Sequence, residues 1–94
     1  MQPAVYILAS QPRGTLYVGV TSHLIQRVWQ HKENLVQGFT RQYGVHTLVY
    51  FELHATMIEA ISREKQLKAG SRAKKVDLIE AINSSWRDLY PDLL

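Results

Sequence analysis

The sequence predicts an α/β fold, a small three-stranded antiparallel sheet flanked by helices in the order β-β-α-β-α-α. Three observations predict it. Two short β-rich runs, at 4–8 and 16–20, are separated by Ser10-Gln11-Pro12-Arg13-Gly14, a polar turn sequence that joins them as a hairpin. A third β-rich run, Thr47-Leu48-Val49-Tyr50-Phe51-Glu52, follows a segment of helical periodicity. Two more helical segments come after it, each opened by a capping residue, Thr56 and Ser71.

Within the hairpin, alternation places Tyr6 and Leu8 on one face of the first strand and Val5 and Ile7 on the other. Tyr17 and Gly19 share a face of the second strand, and the missing side chain at Gly19 leaves room for a backbone or a ligand to approach Tyr17. Thr21 or Ser22 caps the first helix, whose buried stripe is Leu24, Ile25, Val28 and Leu35. That helix frays near Gln37-Gly38, and 39–44 reads as a loop into the third strand.

Thr56 and Glu59 form a capping box for the second helix, which runs to about Ala69 with Gly70 as its left-handed terminator. The third helix carries Val76, Ile79 and Ile82 on one stripe and ends near Asn83. Ser85-Trp86-Arg87-Asp88 suggests one further turn before Pro91 stops it. Trp29 and Trp86 read as core or interface anchors, and His23, His46 and His54 as surface residues without metal-ligand spacing.

Ninety-four residues suit a single domain, 1–94, with one modest core. The 46% hydrophobic and 20% charged content belongs to a globular chain and not to a disordered one. There is no cysteine, which excludes disulfides, thiolate metal sites and cysteine nucleophiles. With neither a signal-like N-terminus nor an 18-residue apolar run, the expectation is a cytoplasmic protein that makes no use of a membrane. Net charge is +3, and six of the eleven Lys and Arg residues fall between Arg63 and Lys75. Such a cluster suits a polyanion, though a solvated helix face has the same composition.

The residues with chemical potential lie mostly in 5–31. Tyr6 and Tyr17 sit on paired strands, and Arg27 and His31, at i and i+4, project from one face of the helix that follows. Two phenols, a guanidinium and an imidazole at one corner of a basic domain suggest phosphate chemistry. Each also has a plain structural reading: tyrosines pack in strands with the hydroxyl at the rim, and a helix arginine is ordinarily a surface residue.

Ala4-Val5-Tyr6, a ten-residue gap and Tyr17-Val18-Gly19 together resemble the GIY-YIG nuclease signature, with Ala4-Val5 standing where the signature has Gly-Ile. The resemblance continues through Arg27, His31 and the lone Glu64, and covers roughly residues 4 to 90. Within that superfamily the chain is similar to small stand-alone bacterial members of the UPF0213 type, which share the segment Arg63-Glu64-Lys65-Gln66-Leu67-Lys68.

The resemblance implies a divalent-metal-dependent DNA endonuclease, since relatives include the nuclease domain of an excision-repair protein, homing endonucleases and junction nucleases. It implies Mg²⁺ or Mn²⁺ on Glu64, a position that a Glu64–Lys68 salt bridge would explain equally simply. Tyr17 would be the general base, Tyr6 its hydrogen-bonding companion, Arg27 the clamp on the scissile phosphate and His31 a proton shuttle with an ordinary pKa near ~6.5. Lys68, Arg72, Lys74 and Lys75 would hold flanking phosphates, with DNA a better match than RNA. Asn83 matches an Asn near the phosphate in relatives, or caps the third helix. Larger relatives carry added DNA-binding modules, so a protein partner supplying target choice is also implied. The rival reading is a catalytically silent module that binds nucleic acid or protein on the same fold.

Overall fold

Every residue of β1 (Ala4–Ala9) is buried in a computed structural model of the chain, because this strand is central in a sheet covered on both faces. β1 pairs antiparallel with β2 (Leu16–Thr21) on one side and β3 (Thr47–Leu53) on the other, giving the order β2-β1-β3. The helices are α1 (Leu24–Lys32), α2 (Phe39–Tyr43), α3 (Met57–Ala69) and α4 (Arg72–Ile82), and a 3₁₀ turn occupies Tyr90–Leu93. The structure describes residues 2–36 and 38–94. Among them no helix is long and apolar enough to cross a membrane.

The alternation read from the sequence sorts the two cores. Val5, Ile7 and Ala9 pack with Ala60 and Leu67 of α3, Ile79 of α4 and Trp86. Ala4, Tyr6 and Leu8 face the opposite way, against Leu24 and Val28 of α1, Val45 and Leu89. Burying side chains of this size stabilises by roughly 1.5–3 kcal/mol each.

A bulge breaks the β1–β3 register. Ile7 faces Tyr50 and Leu8 faces Leu48, so Val49 has no counterpart in β1. The extra residue lets Val49 and Tyr50, neighbours in sequence, join the same core. The Val49 carbonyl accepts from Asn83 Nδ2 at 3.1 Å, which supplies a partner to a buried group that would otherwise be costly to leave unpaired.

The hairpin tip is tied down from α4. Arg13, at φ 56°, turns the chain and makes a two-bonded contact with Glu80 at 2.9 and 2.8 Å. Arg72 donates to the carbonyls of Arg13 and Gly14 at 2.5 and 2.7 Å.

Several local expectations differ from what forms. The stretch 39–44 is not a loop throughout: α2 forms between Gly38 at φ 100° and Gly44 at φ 64°, values that favour glycine. α1 ends at Lys32, and Thr21 Oγ1 accepts from the His23 N–H instead of capping inside the helix. The expected fraying point at Gln37 lies outside the described residues, as does Met1. Ile25, Leu35 and Ile82 are exposed, and so is Trp29, whereas Trp86 is core. Gly70 closes α3 in an extended conformation (φ −76°, ψ 165°), not a left-handed one, because Ser71 must at once cap α4 through the Lys74 N–H. Pro91 lies at the start of the 3₁₀ turn instead of stopping it, a position where its missing N–H leaves nothing unpaired.

Candidate active site

Tyr6 projects from the central strand toward α1, and its hydroxyl lies 3.0 Å from Nε2 of His31. The other ring nitrogen of His31, Nδ1, is 3.0 Å from Thr40 Oγ1 on α2. His31 and Thr40 are buried, so these hydrogen bonds stand in for solvent. Room for the Tyr6 ring comes from its cross-strand partner Gly19. The space over Gly19 is therefore filled by Tyr6 and not left open to a ligand approaching Tyr17.

Tyr17 occupies the outer strand and is half-buried. Its ring centroid is 6.3 Å from that of Tyr6, 5.4 Å from His31 and 6.1 Å from Phe39. Two of the shallow pockets along β2 hold candidate residues from α1 and from the Tyr17 side. One, of about 380 Å³, is lined by Arg27 and Gln30 of α1 together with Met57 of α3. The other, of about 320 Å³, is lined by Tyr17, Phe39, Lys68 and Lys75. On α3, Glu64 is seven residues beyond Met57 and four before Lys68, hence on the same helix stripe as one lining residue of each pocket. Its carboxylate is 3.2 Å from Lys68 Nζ.

Electrostatics link these groups. Burial pushes the Tyr6 phenol up to about 12; the Arg27 guanidinium opposes that rise, and the charges of Tyr17 and Glu64 add to it. Burial, helped by Arg27 and His46, pushes the His31 imidazole down to about 4. Near pH 7 both members of the Tyr6–His31 pair are neutral in the unliganded protein, and His31 does not have the ordinary pKa expected of it. Tyr6 keeps its proton and the ring offers a lone pair.

Not every expected residue joins this edge. Lys68 and Lys75 line the Tyr17 pocket, and Arg72 lies with Lys75 in a neighbouring one beside Leu16 and Val18. Arg72 is nonetheless engaged with the hairpin carbonyls. Lys74 faces a different pocket, with Arg63 and Gln66. Asn83 is buried, donating to Val49 and Arg87 carbonyls and accepting from the Arg87 N–H at 3.1 Å. Its placement is that of a structural cap.

Thr40 is the residue that sequence reasoning missed. It fell in a stretch read as loop, and a lone threonine carries no periodicity to mark it. A concavity of about 740 Å³ is an apolar groove lined by Ile25, Trp29, Leu53 and Tyr90, and no candidate residue lines it.

The Glu64 side chain is 15% exposed and that of its lysine partner 53% exposed, so the ion pair lies at the surface. Among the described residues no three His, Cys, Asp or Glu side chains group as a metal cage. One reachable carboxylate fits a hard divalent ion that takes its remaining ligands from water and phosphate.

The family model for the GIY-YIG catalytic domain matches residues 2–77. The chain belongs to the GIY-YIG family of nuclease domains. Within it, the chain is of the UPF0213 type. It is 38% identical over 77 residues to a UPF0213 protein of Clostridium perfringens, covering 82% of each chain. Against a UPF0213 protein of Staphylococcus saprophyticus the identity is 33% over 75 residues, covering 80% of this chain and 90% of that one. The fold is also that of the UPF0213 protein BH0048 from Bacillus halodurans, solved by solution NMR. That structure has a TM-score of 0.58 and 28% identity, and the match covers 94% of this chain and 93% of the other.

Proposed function

We propose that this chain is a divalent-metal-dependent DNA endonuclease that hydrolyses phosphodiester bonds, serving DNA repair or recombination. The observation that carries the reading is the meeting of Tyr6, Tyr17 and His31 beside Arg27 at the β2 edge, where the charge of Glu64 is felt at the Tyr6 hydroxyl.

Glu64 would hold Mg²⁺ or Mn²⁺, exchanging Lys68 for the ion. When bound, the ion neutralises charge on the phosphate and on the leaving oxygen. Arg27 donates two hydrogen bonds to the same phosphate and stays charged throughout. Tyr17 takes a proton from the attacking water while its own leaves toward the Tyr6–His31 pair, whose neutral imidazole is ready to accept. Lys68 and Lys75 hold neighbouring phosphates by charge alone, which gives affinity without sequence preference. Target choice would then come from a protein partner.

A plasmid-nicking assay with Mg²⁺ or Mn²⁺ tests the reading. Wild type should nick, chelation should stop it, and Glu64→Ala and Tyr17→Phe should each lower the rate by ~10²–10⁴-fold. Nicking that survives both substitutions rejects the assignment and leaves the silent binding module.

A further inference from the structure

α2 is five residues long, and Thr40 is the one it buries. Its neighbours Phe39, Arg41, Gln42 and Tyr43 are exposed. A short helix with a single inward side chain would ordinarily bury an aliphatic one, since an unpaired hydroxyl loses its hydration on burial. Here the hydroxyl is instead met by Nδ1 of His31 at 3.0 Å. No buried side-chain nitrogen or oxygen among the described residues lacks a hydrogen-bond partner.

A neutral imidazole has one N–H and one lone pair, so the partner at one nitrogen decides what the other can do. Nε2 faces the Tyr6 hydroxyl. Arg27 can only donate to that oxygen, and within the Tyr6–His31 pair the phenol is the more acidic donor and the imidazole nitrogen the stronger acceptor, so the phenol proton points to His31. Nε2 then has to be the bare nitrogen and Nδ1 the protonated one, donating to Thr40 Oγ1.

We propose that Thr40 is a positioning residue whose hydroxyl accepts from Nδ1–H of His31, fixes the ring and thereby aims the Nε2 lone pair at the Tyr6 hydroxyl. Its consequence for cleavage rests on the endonuclease reading above. During hydrolysis the Tyr6 O–H bond breaks as an Nε2–H bond forms, and the Tyr6 oxygen is refilled by the proton that originates in the attacking water. The ring gains one proton and one positive charge, Nδ1–H stays in place, and the Thr40 oxygen accepts from the more strongly polarised N–H of the imidazolium. The hydroxyl touches neither substrate nor metal and acts through His31.

The test has two arms. Nitrogen-15 chemical shifts of the His31 ring, recorded at pH 7 on the metal-free protein, report the tautomer whether or not the protein cuts DNA. Wild type should show Nδ1 protonated and Nε2 bare, and Thr40→Ser should keep that pattern. Thr40→Val, close to isosteric, should shift both ring nitrogens by removing the acceptor at Nδ1, and Thr40→Ala serves if the valine variant does not fold. In the plasmid-nicking assay with Mg²⁺, Thr40→Val should lower kcat by ~10–100-fold with KM within ~3-fold, and Thr40→Ser should restore kcat. An Nε2–H tautomer in wild type, or ring nitrogen shifts in Thr40→Val identical to those of wild type, overturns the proposal. So does a Thr40→Val protein that cuts at the wild-type rate. Wild type that never nicks rejects the endonuclease reading alone, and the ring shifts then decide the role of Thr40.

Discussion

Gly19 and Tyr6 face each other across the β1–β2 pair, and a Cβ built on residue 19 would lie 2.4 Å from Tyr6 Cζ and 2.5 Å from its hydroxyl oxygen. The ring is buried and held at its far end by His31, so it has little freedom to yield. Gly19→Ala should therefore destabilise the fold by about 1–3 kcal/mol, the usual range for overpacking. It should also shift the ring resonances of His31. Urea unfolding and NMR would show both effects together; a stable variant with an unmoved His31 would mean that the strands spread at no cost.

His31 should make stability pH-dependent. Its folded pKa, about 4, lies below the ~6.5 of an unfolded histidine. Between those values the unfolded chain binds the proton that the folded chain refuses, so stability is full above ~6.5 and falls as pH drops toward 4. The loss attributable to this ring is up to ~3 kcal/mol. Urea midpoints at pH 7, 5.5 and 4 should fall less steeply in His31→Gln than in wild type, and equal slopes would refute the assignment.

Asn83 gives a prediction of the opposite kind. Asn83→Ala removes a donor from the Val49 carbonyl at the bulge and two bonds to the Arg87 backbone. It should cost about 1–3 kcal/mol in unfolding free energy. DNA affinity of the folded variant should be unchanged. A stable variant with weakened DNA binding would instead return Asn83 to the phosphate.

Lys68 and Lys75, the two cations lining the Tyr17 pocket, should each carry one phosphate contact. Lys68→Ala and Lys75→Ala should each lower the slope of log affinity against log salt by about 0.9 on duplex DNA. Fluorescence anisotropy between 50 and 200 mM salt reads this directly, with 50 and 200 mM being the roughly four-fold range over which such contacts dominate. A wild-type affinity independent of salt would remove the nucleic-acid reading altogether.

How legible this was in the sequence depends on the element. The hairpin, the two faces of β1 and the Thr56 and Ser71 caps follow from alternation and local side-chain chemistry, and they form as read. α2 was illegible because five residues are too few to show a helical period, and two glycines at positive φ look the same in sequence as loop glycines. Leu35 lies beyond the end of α1, and Ile25, one residue past Leu24, turns off the stripe that Leu24, Val28 and His31 bury. In the candidate site, Tyr6, Tyr17, Arg27, His31 and Glu64 came from one ordered signature. The depressed pKa of His31 did not, since it arises from burial by residues distant in sequence. Asn83 was ambiguous for a similar reason: the bulge that needs its amide is a register event between two strands, invisible in either one alone.

The sheet order has one further consequence. β1 is hydrogen-bonded along both sides while β2 is bonded along one, so the two phenols sit on supports of unequal stiffness. Backbone amides around Tyr6 should exchange with deuterium only on global unfolding, and those around Tyr17 should exchange through local opening. The inner phenol is thus a fixed reference, and whatever adjustment an incoming strand demands falls to the outer one.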